Sequence, residues 1–96
     1  MIRLDQHLRP HPEVVDTELE GEETVVLHLE SKLYFSLNPT GTHIWQGLKS
    51  GLSLHDISAR LQERFTVDAA EAERCVIALV EELAEQHLVV PVTAER

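Results

Sequence analysis

The sequence is short of positive charge: 8 lysines and arginines stand against 17 aspartates and glutamates, a formal charge of −9. The deficit is not confined to one end. Residues 1–37 carry 8 acidic and 3 basic side chains, and residues 38–96 carry 9 and 5. A nucleic-acid binder needs a basic face to neutralise phosphates, and none is written here. Cysteine is nearly absent. The lone Cys75 has no partner for an intramolecular disulfide. No apolar run nears the roughly 20 residues that span a bilayer, and the opening "MIRLDQHLRP" lacks the apolar block of a signal peptide. These absences together predict a cytoplasmic protein. Glycine is sparse too: the residues at 21, 41, 47 and 51 do not cluster into a phosphate loop.

Candidate chemistry is equally thin. The six histidines (His7, His11, His28, His43, His55 and His87) are scattered over separate predicted elements. His7 and His11 are four apart, but Pro10 and Pro12 oppose the helix that would bring them together. Cys75 falls in the middle of an apolar helical pattern with no base beside it, which reads as a packing residue rather than a nucleophile. The carboxylates fall on helical and turn faces that water solvates. No catalytic residue, metal or cofactor is expected.

What is present is a core former: 43% of the 96 residues are hydrophobic, enough for one small domain spanning 1–96. Residues 1–12, with two prolines, read as an irregular lead-in. "EVVDTEL" (13–19), "TVVLHL" (24–29) and "LYFSL" (33–37) read as three strands joined by "EGEE" and "ESK". Short connections make them an antiparallel meander. Val25, Leu27 and Leu29 share one face of the second strand; Leu33, Phe35 and Leu37 share the inward face of the third, opposite Tyr34 and Ser36.

Three helices follow. Asn38 before Pro39 is an N-cap with proline at the first helical position, and Gly51 stops that helix after Ile44, Trp45 and Leu48. Ser53 with Asp56, and Asp68 with Glu71, are capping-box signals for the next two. Leu54, Ile57 and Leu61 recur at helical spacing, and the last helix covers about Ala69 to Gln86. "LVVPV" (88–92) is extended, with Pro91 forbidding a central strand position. The first two helices, joined by "KSGLSLHD", form a helix-turn-helix.

Two features exceed what a core requires. On a wheel, Ala72, Val76, Leu79, Val80 and Leu83 make the core stripe of the last helix, yet Cys75, Ile77 and Ala78 add apolar surface on its flanks. Either the helix sits centrally among its neighbours, or one flank lines a groove. The third strand ends the sheet if strand order follows the sequence, and "LYFSL" carries no charge or proline to blunt its edge. Either the N-terminal arm or a loop covers that edge, or it is open to an added strand.

"YFSLNPTGTHIWQGLKSGLSLHDISARLQERF", followed by "AERCVIALVEELAEQHLV", resembles the PqqD-like family, the small RiPP recognition elements. The matching residues are Tyr34, Leu37, Asn38, Thr40, Gly41, Ile44, Trp45, Leu48, Gly51, Ser53, Ile57, Leu61, Leu79, Leu83 and Leu88. The similarity covers about residues 13–90, and the "LNxTGxxIW" element is its specific part. One departure stands near the end: the family often has glycine before the last apolar pair, where this chain has His87.

The resemblance implies an α+β fold: a winged helix-turn-helix with an N-terminal three-stranded antiparallel sheet followed by three helices. It implies a non-catalytic protein that binds the leader of a ribosomally made precursor peptide as an added strand. The backbone contacts then fall on Lys32, Leu33, Tyr34, Phe35 and Ser36. The helical wheel supplies the facing residues: Arg74, Cys75, Ala78, Leu79 and Glu82. A separate chain of this size looks most like the leader-binding proteins of lasso-peptide pathways, whose partners are a leader peptidase (a cysteine protease) and a cyclase. The alternative within the family is a peptide chaperone for a radical-SAM enzyme of pyrroloquinoline quinone synthesis. The rival from outside it, a DNA-binding winged helix, is opposed by the acidic last helix.

Overall fold

A computed structural model describes residues 7–91. The elements run β1 (Leu8–Pro10), β2 (Val14–Leu19), β3 (Glu23–His28), β4 (Tyr34–Leu37), α1 (Pro39–Lys49), α2 (Leu54–Phe65), α3 (Ala69–Glu85) and β5 (Val89–Pro91). The expected meander is β2-β3-β4, antiparallel throughout, and the three helices follow it in order.

The lead-in departs from expectation. Leu8–Pro10 is a strand, paired antiparallel with β5, and Leu8 is buried. Its prolines hid it. A three-residue ribbon can end on Pro10 and Pro91 because each lies at the border of its strand. The start of the lead-in, residues 1–6, lies outside the described residues. The described strand of the lead-in, Leu8–Pro10, pairs with β5, and among the described residues β4 ends its sheet.

The second strand turns the other way from its apolar row. Thr24, Val26 and His28 are buried, while Val25 and Leu27 are half-buried and Leu29 is exposed. Period two was right, but both faces carry apolar residues, so alternation alone did not choose between them. His28 can enter the interior because its Nδ1 accepts the backbone N–H groups of Glu30 (3.2 Å) and Ser31 (3.4 Å). The outer face of the sheet is consequently apolar: Val15, Leu19, Leu29 and Tyr34 are all large and exposed.

The helices start and stop where the signals placed them. Asn38 Oδ1 accepts the Gly41 N–H at 2.8 Å, Ser53 Oγ the Asp56 N–H at 3.1 Å, and Asp68 Oδ1 the Glu71 N–H at 2.8 Å. Each satisfies a helix-end donor and stabilises its helix by about 1 kcal/mol. Gly51, at φ +83, takes the left-handed turn after α1. At Gly47 a Cβ would lie 2.7 Å from Ile57 Cγ1, so only glycine lets α1 and α2 approach this closely.

Trp45, Ile44, Leu48, Leu54, Ile57 and Leu61 fill the core with Val76, Val80 and Leu83 of α3. Trp45 is also tied to the sheet. Its Nε1–H donates to Asp16 Oδ2 at 2.7 Å, and Lys49 Nζ reaches the same oxygen at 2.8 Å. Burial alone would raise the Asp16 pKa, but the hydrogen bonds from Lys49 and Trp45 and the Lys49 charge outweigh it and hold the carboxyl below its ordinary value.

Candidate functional site

The register of the sheet decides which backbone groups of β4 are free. His28 N–H donates to Leu33 C=O at 2.9 Å, and the same register opposes Val26 to Phe35 and Thr24 to Leu37. In an antiparallel ladder bonded and non-bonded pairs alternate. Leu33, Phe35 and Leu37 therefore bond to β3. Tyr34 and Ser36, opposite Leu27 and Val25, turn their N–H and C=O groups to the open edge. Lys32 differs: at φ 66 it is in a turn, and its N–H already donates to His28 C=O at 2.8 Å. Of the five predicted rail residues, two thus present both backbone groups to an incoming strand.

Their side chains sort as the alternation predicts, with one exception. Tyr34 points outward and is 71% exposed; Ser36 is exposed beside it. Leu37 is buried and Phe35 half-buried against the core. Leu33, expected inward, is 49% exposed. It sits at the strand's entry and lines a cavity with His28 and, from the end of α3, Glu85 and His87.

α3 packs mainly on α2 and β5, whereas β4 packs on β3 and α1, and a cleft separates α3 from the start of α1, which follows β4 directly. The stripe Ala72, Val76, Val80 and Leu83 is fully buried. Leu79, expected in that stripe, is only half-buried, and Cys75 likewise, while Ala78, Arg74 and Glu82 are exposed. Cys75, Ala78, Leu79 and Glu82 line one cleft of about 250 Å³ together with Asn38, Thr40, Gly41 and Ile44 of the α1 start. Arg74, Cys75 and Ala78 also line an adjoining, largely apolar hollow with Ala70, Glu73, Ile77 and Glu81. The surplus apolar residues Cys75, Ile77 and Ala78 thus line surface hollows rather than the core.

The first turn of α1, which lines this cleft, was not among the expected site residues. Gly41 leaves room there: a Cβ would press on Asn38 Oδ1 and on Leu37 at 3.3 Å. The signal was present in "LNPTG", read only as a cap.

The Cys75 thiol is not activated. Burial raises the Cys75 thiol pKa, and the charge and hydrogen bond of Glu71 (Sγ to Oε2, 3.7 Å) raise it further; Arg74 opposes weakly because it is engaged by Glu71. Among the described residues no cluster of His, Cys, Asp and Glu is arranged to hold a metal ion, and no helix is long and apolar enough to cross a membrane.

Residues 23–89 match the model of the family described as coenzyme PQQ synthesis protein D, PqqD. The chain belongs to the PqqD family. Two solved structures extend this PqqD assignment to the whole fold. TbiB1 in complex with the TbiA(beta) leader peptide superposes with a TM-score of 0.81 at 27% identity, over 90% of this chain and 99% of that one. Lasso peptide synthetase B1 complexed with the leader peptide gives a TM-score of 0.79 at 32% identity, over 88% of this chain and 99% of that one. No curated protein matches the chain. His87, the departure from the PqqD pattern, stands at φ 61. That is the left-handed conformation glycine adopts without penalty.

Proposed function

We propose that this PqqD-family chain is a non-catalytic recognition element that binds the leader segment of a precursor peptide and presents it to a processing enzyme. The observation that carries the reading is the edge of β4: two residues whose backbone groups have no strand partner among the described residues, next to a cleft between the α1 start and the Cys75–Glu82 flank of α3. Both structural relatives are leader-peptide complexes, which supports the same ligand class.

The register fixes how a guest would sit. An antiparallel guest exchanges bonds with Tyr34 and Ser36, and the guest residues opposite them point outward. Guest residues opposite Leu33, Phe35 and Leu37 point inward, toward Leu79, Cys75 and Ala78. The recognised segment should therefore carry apolar side chains two residues apart. Four backbone hydrogen bonds at about 0.5–1.5 kcal/mol net each, and two apolar side chains at about 1.5–3 kcal/mol each, are opposed by several kcal/mol for ordering a flexible peptide. The balance predicts roughly micromolar or tighter binding.

The outer sheet face, with Val15, Leu19, Leu29 and Tyr34, is the apolar surface left for the processing enzyme. Tyr34 borders the guest's own outward residues, so a loaded protein offers a wider surface than an empty one. The similarity to lasso-type B1 proteins favours a leader peptidase as that enzyme over a radical-SAM partner. Cytoplasmic location follows from the same role. DNA binding is disfavoured because α3 exposes Glu81, Glu82 and Glu85.

The test is titration of the purified protein with a synthetic leader peptide, that of TbiA(beta) seen with the structural relative. Saturable binding that Ala78→Arg removes, with folding intact, supports the proposal; a gel shift with duplex DNA at low salt and no leader binding would sink it.

A further inference from the structure

The leader cleft accounts for only part of the uncovered surface of α3. Cys75 and Ala78 line that cleft, but they also line the adjoining hollow of about 710 Å³. Every residue of that hollow belongs to α3, so it is a bare helix flank rather than an enclosed pocket. Its central residues Ala70, Arg74, Ile77 and Glu81 recur at alternating steps of four and three. That is the seam of a helix packed lengthwise on another helix. Among the described elements, α2 and β5 take the main packing of α3, through the separate buried stripe of Ala72, Val76, Val80 and Leu83.

The charges on the seam select the occupant. Arg74 stands on one side of Ile77 and Ala78, and Glu81 on the other; both charged residues are exposed. An antiparallel second copy, related by a two-fold axis between positions 77 and 78, sets Arg74 against Glu81 of the other chain twice. It also sets Ile77 against Ala78 twice. The seam is complementary to itself, which is the requirement of an isologous contact. A parallel alignment would oppose Arg74 to Arg74 and Glu81 to Glu81 instead. Arg74 already engages Glu71 within the helix. A guanidinium carries five N–H donors, so it can serve both carboxylates.

We propose that the free protein pairs with a second copy through antiparallel α3–α3 packing, and that this contact closes the leader cleft. Cys75 and Ala78 serve both surfaces, so leader and second copy compete for one flank. The competition rests on leader binding at the β4 edge; the self-association does not. One helix flank buries less than the roughly 1,200 Å² of a standard interface, and a formal charge of −9 on each chain opposes association. The dimer is therefore weak and reversible, as a contact that a peptide displaces must be.

Sedimentation velocity over about two decades of concentration, up to roughly 500 μM, should show monomer passing to dimer. Arg74→Glu and Glu81→Arg each place like charges at both contacts and should weaken the dimer by about tenfold or more. One variant makes the chain more acidic and the other less, so a shared loss reports the pairing and not the net charge. The double variant Arg74→Glu/Glu81→Arg re-forms the pair and should restore association. Thermal melts check that each variant folds. The synthetic TbiA(beta) leader peptide should return the wild-type dimer to monomer. A monomer at every concentration, single reversals without effect, or a double variant as weak as the singles would overturn the α3 contact. So would association that survives both reversals but is lost in Leu29→Ser, which would assign it to the outer sheet face. A dimer that takes up leader without dissociating would overturn the competition. Leader that binds neither form would overturn the β4 reading and the competition with it, while the charge reversals still decide the self-association.

Discussion

Proline at position 36 separates the two sides of β4. Ser36 is in a non-bonded pair with Val25, so its N–H faces the open edge and makes no bond to β3. Ser36→Pro deletes that donor and places the pyrrolidine ring in the path of an approaching strand. It deletes no ladder bond, and the residue before proline is confined to the extended region that Phe35 already occupies. Folding stability should fall by no more than about 1 kcal/mol, as for surface changes with some local strain. Guest binding should lose more. A guest carbonyl stripped of water and left without its donor costs about 1–3 kcal/mol, which at about 1.4 kcal/mol per tenfold is roughly 5- to 140-fold in Kd. The assay is fluorescence anisotropy with a labelled leader, beside a thermal melt. Phe35→Pro is the control: it removes a ladder bond to Val26 and should lower Tm sharply. If Ser36→Pro binds leader with wild-type affinity, or if both proline variants melt alike, the register argument is wrong.

Further outcomes can be read from single variants. Ala78→Arg puts a charged stem into the cleft from an exposed position, and should remove leader binding in a calorimetric titration with Tm unchanged. Phe35→Ala should cost less than the roughly 3–5 kcal/mol of a fully buried phenylalanine, because the ring is half-buried, whereas Tyr34→Ala should stay within about 0.5 kcal/mol; equal melting shifts would contradict the face assignment. Gly47→Ala should destabilise by about 1–3 kcal/mol, since the new methyl meets Ile57 at 2.7 Å. Asp16→Ala orphans the Trp45 indole N–H and should cost about 1.5–3 kcal/mol by denaturant unfolding. The Asp16 carboxyl titrates below its ordinary value of 3.8 in the folded protein, so its stabilisation is complete above that pH and is lost as pH falls through the lower folded value. The stability gap between wild type and Asp16→Ala should therefore close only in strong acid.

The helical half of the molecule was legible because its signals are local. Asn38, Ser53 and Asp68 each cap the helix they precede, and Gly51 turns the chain where it was placed. The wheel also showed that α3 carries more apolar surface than its core stripe, and Cys75 and Ile77 are half-buried and Ala78 exposed. The sheet was less transparent. β3 has apolar residues on both faces, and its inward face includes Thr24 and His28, which composition would send outward. Only the cross-strand register resolves that, and register is a tertiary property. β1 was invisible for a related reason: a three-residue strand with a terminal proline has no pattern until β5 pairs with it. The narrowing of the rail to Tyr34 and Ser36 depends on that same register and could not precede it.

The most direct measurement is amide hydrogen exchange, residue by residue, with and without the leader peptide. Phe35 and Leu37 amides, bonded to β3, should be protected in both states, while Tyr34 and Ser36 amides should be unprotected alone and become protected when the leader binds. Leader-induced protection confined to α1 and α2, with Tyr34 and Ser36 still exchanging freely, would contradict strand addition at β4.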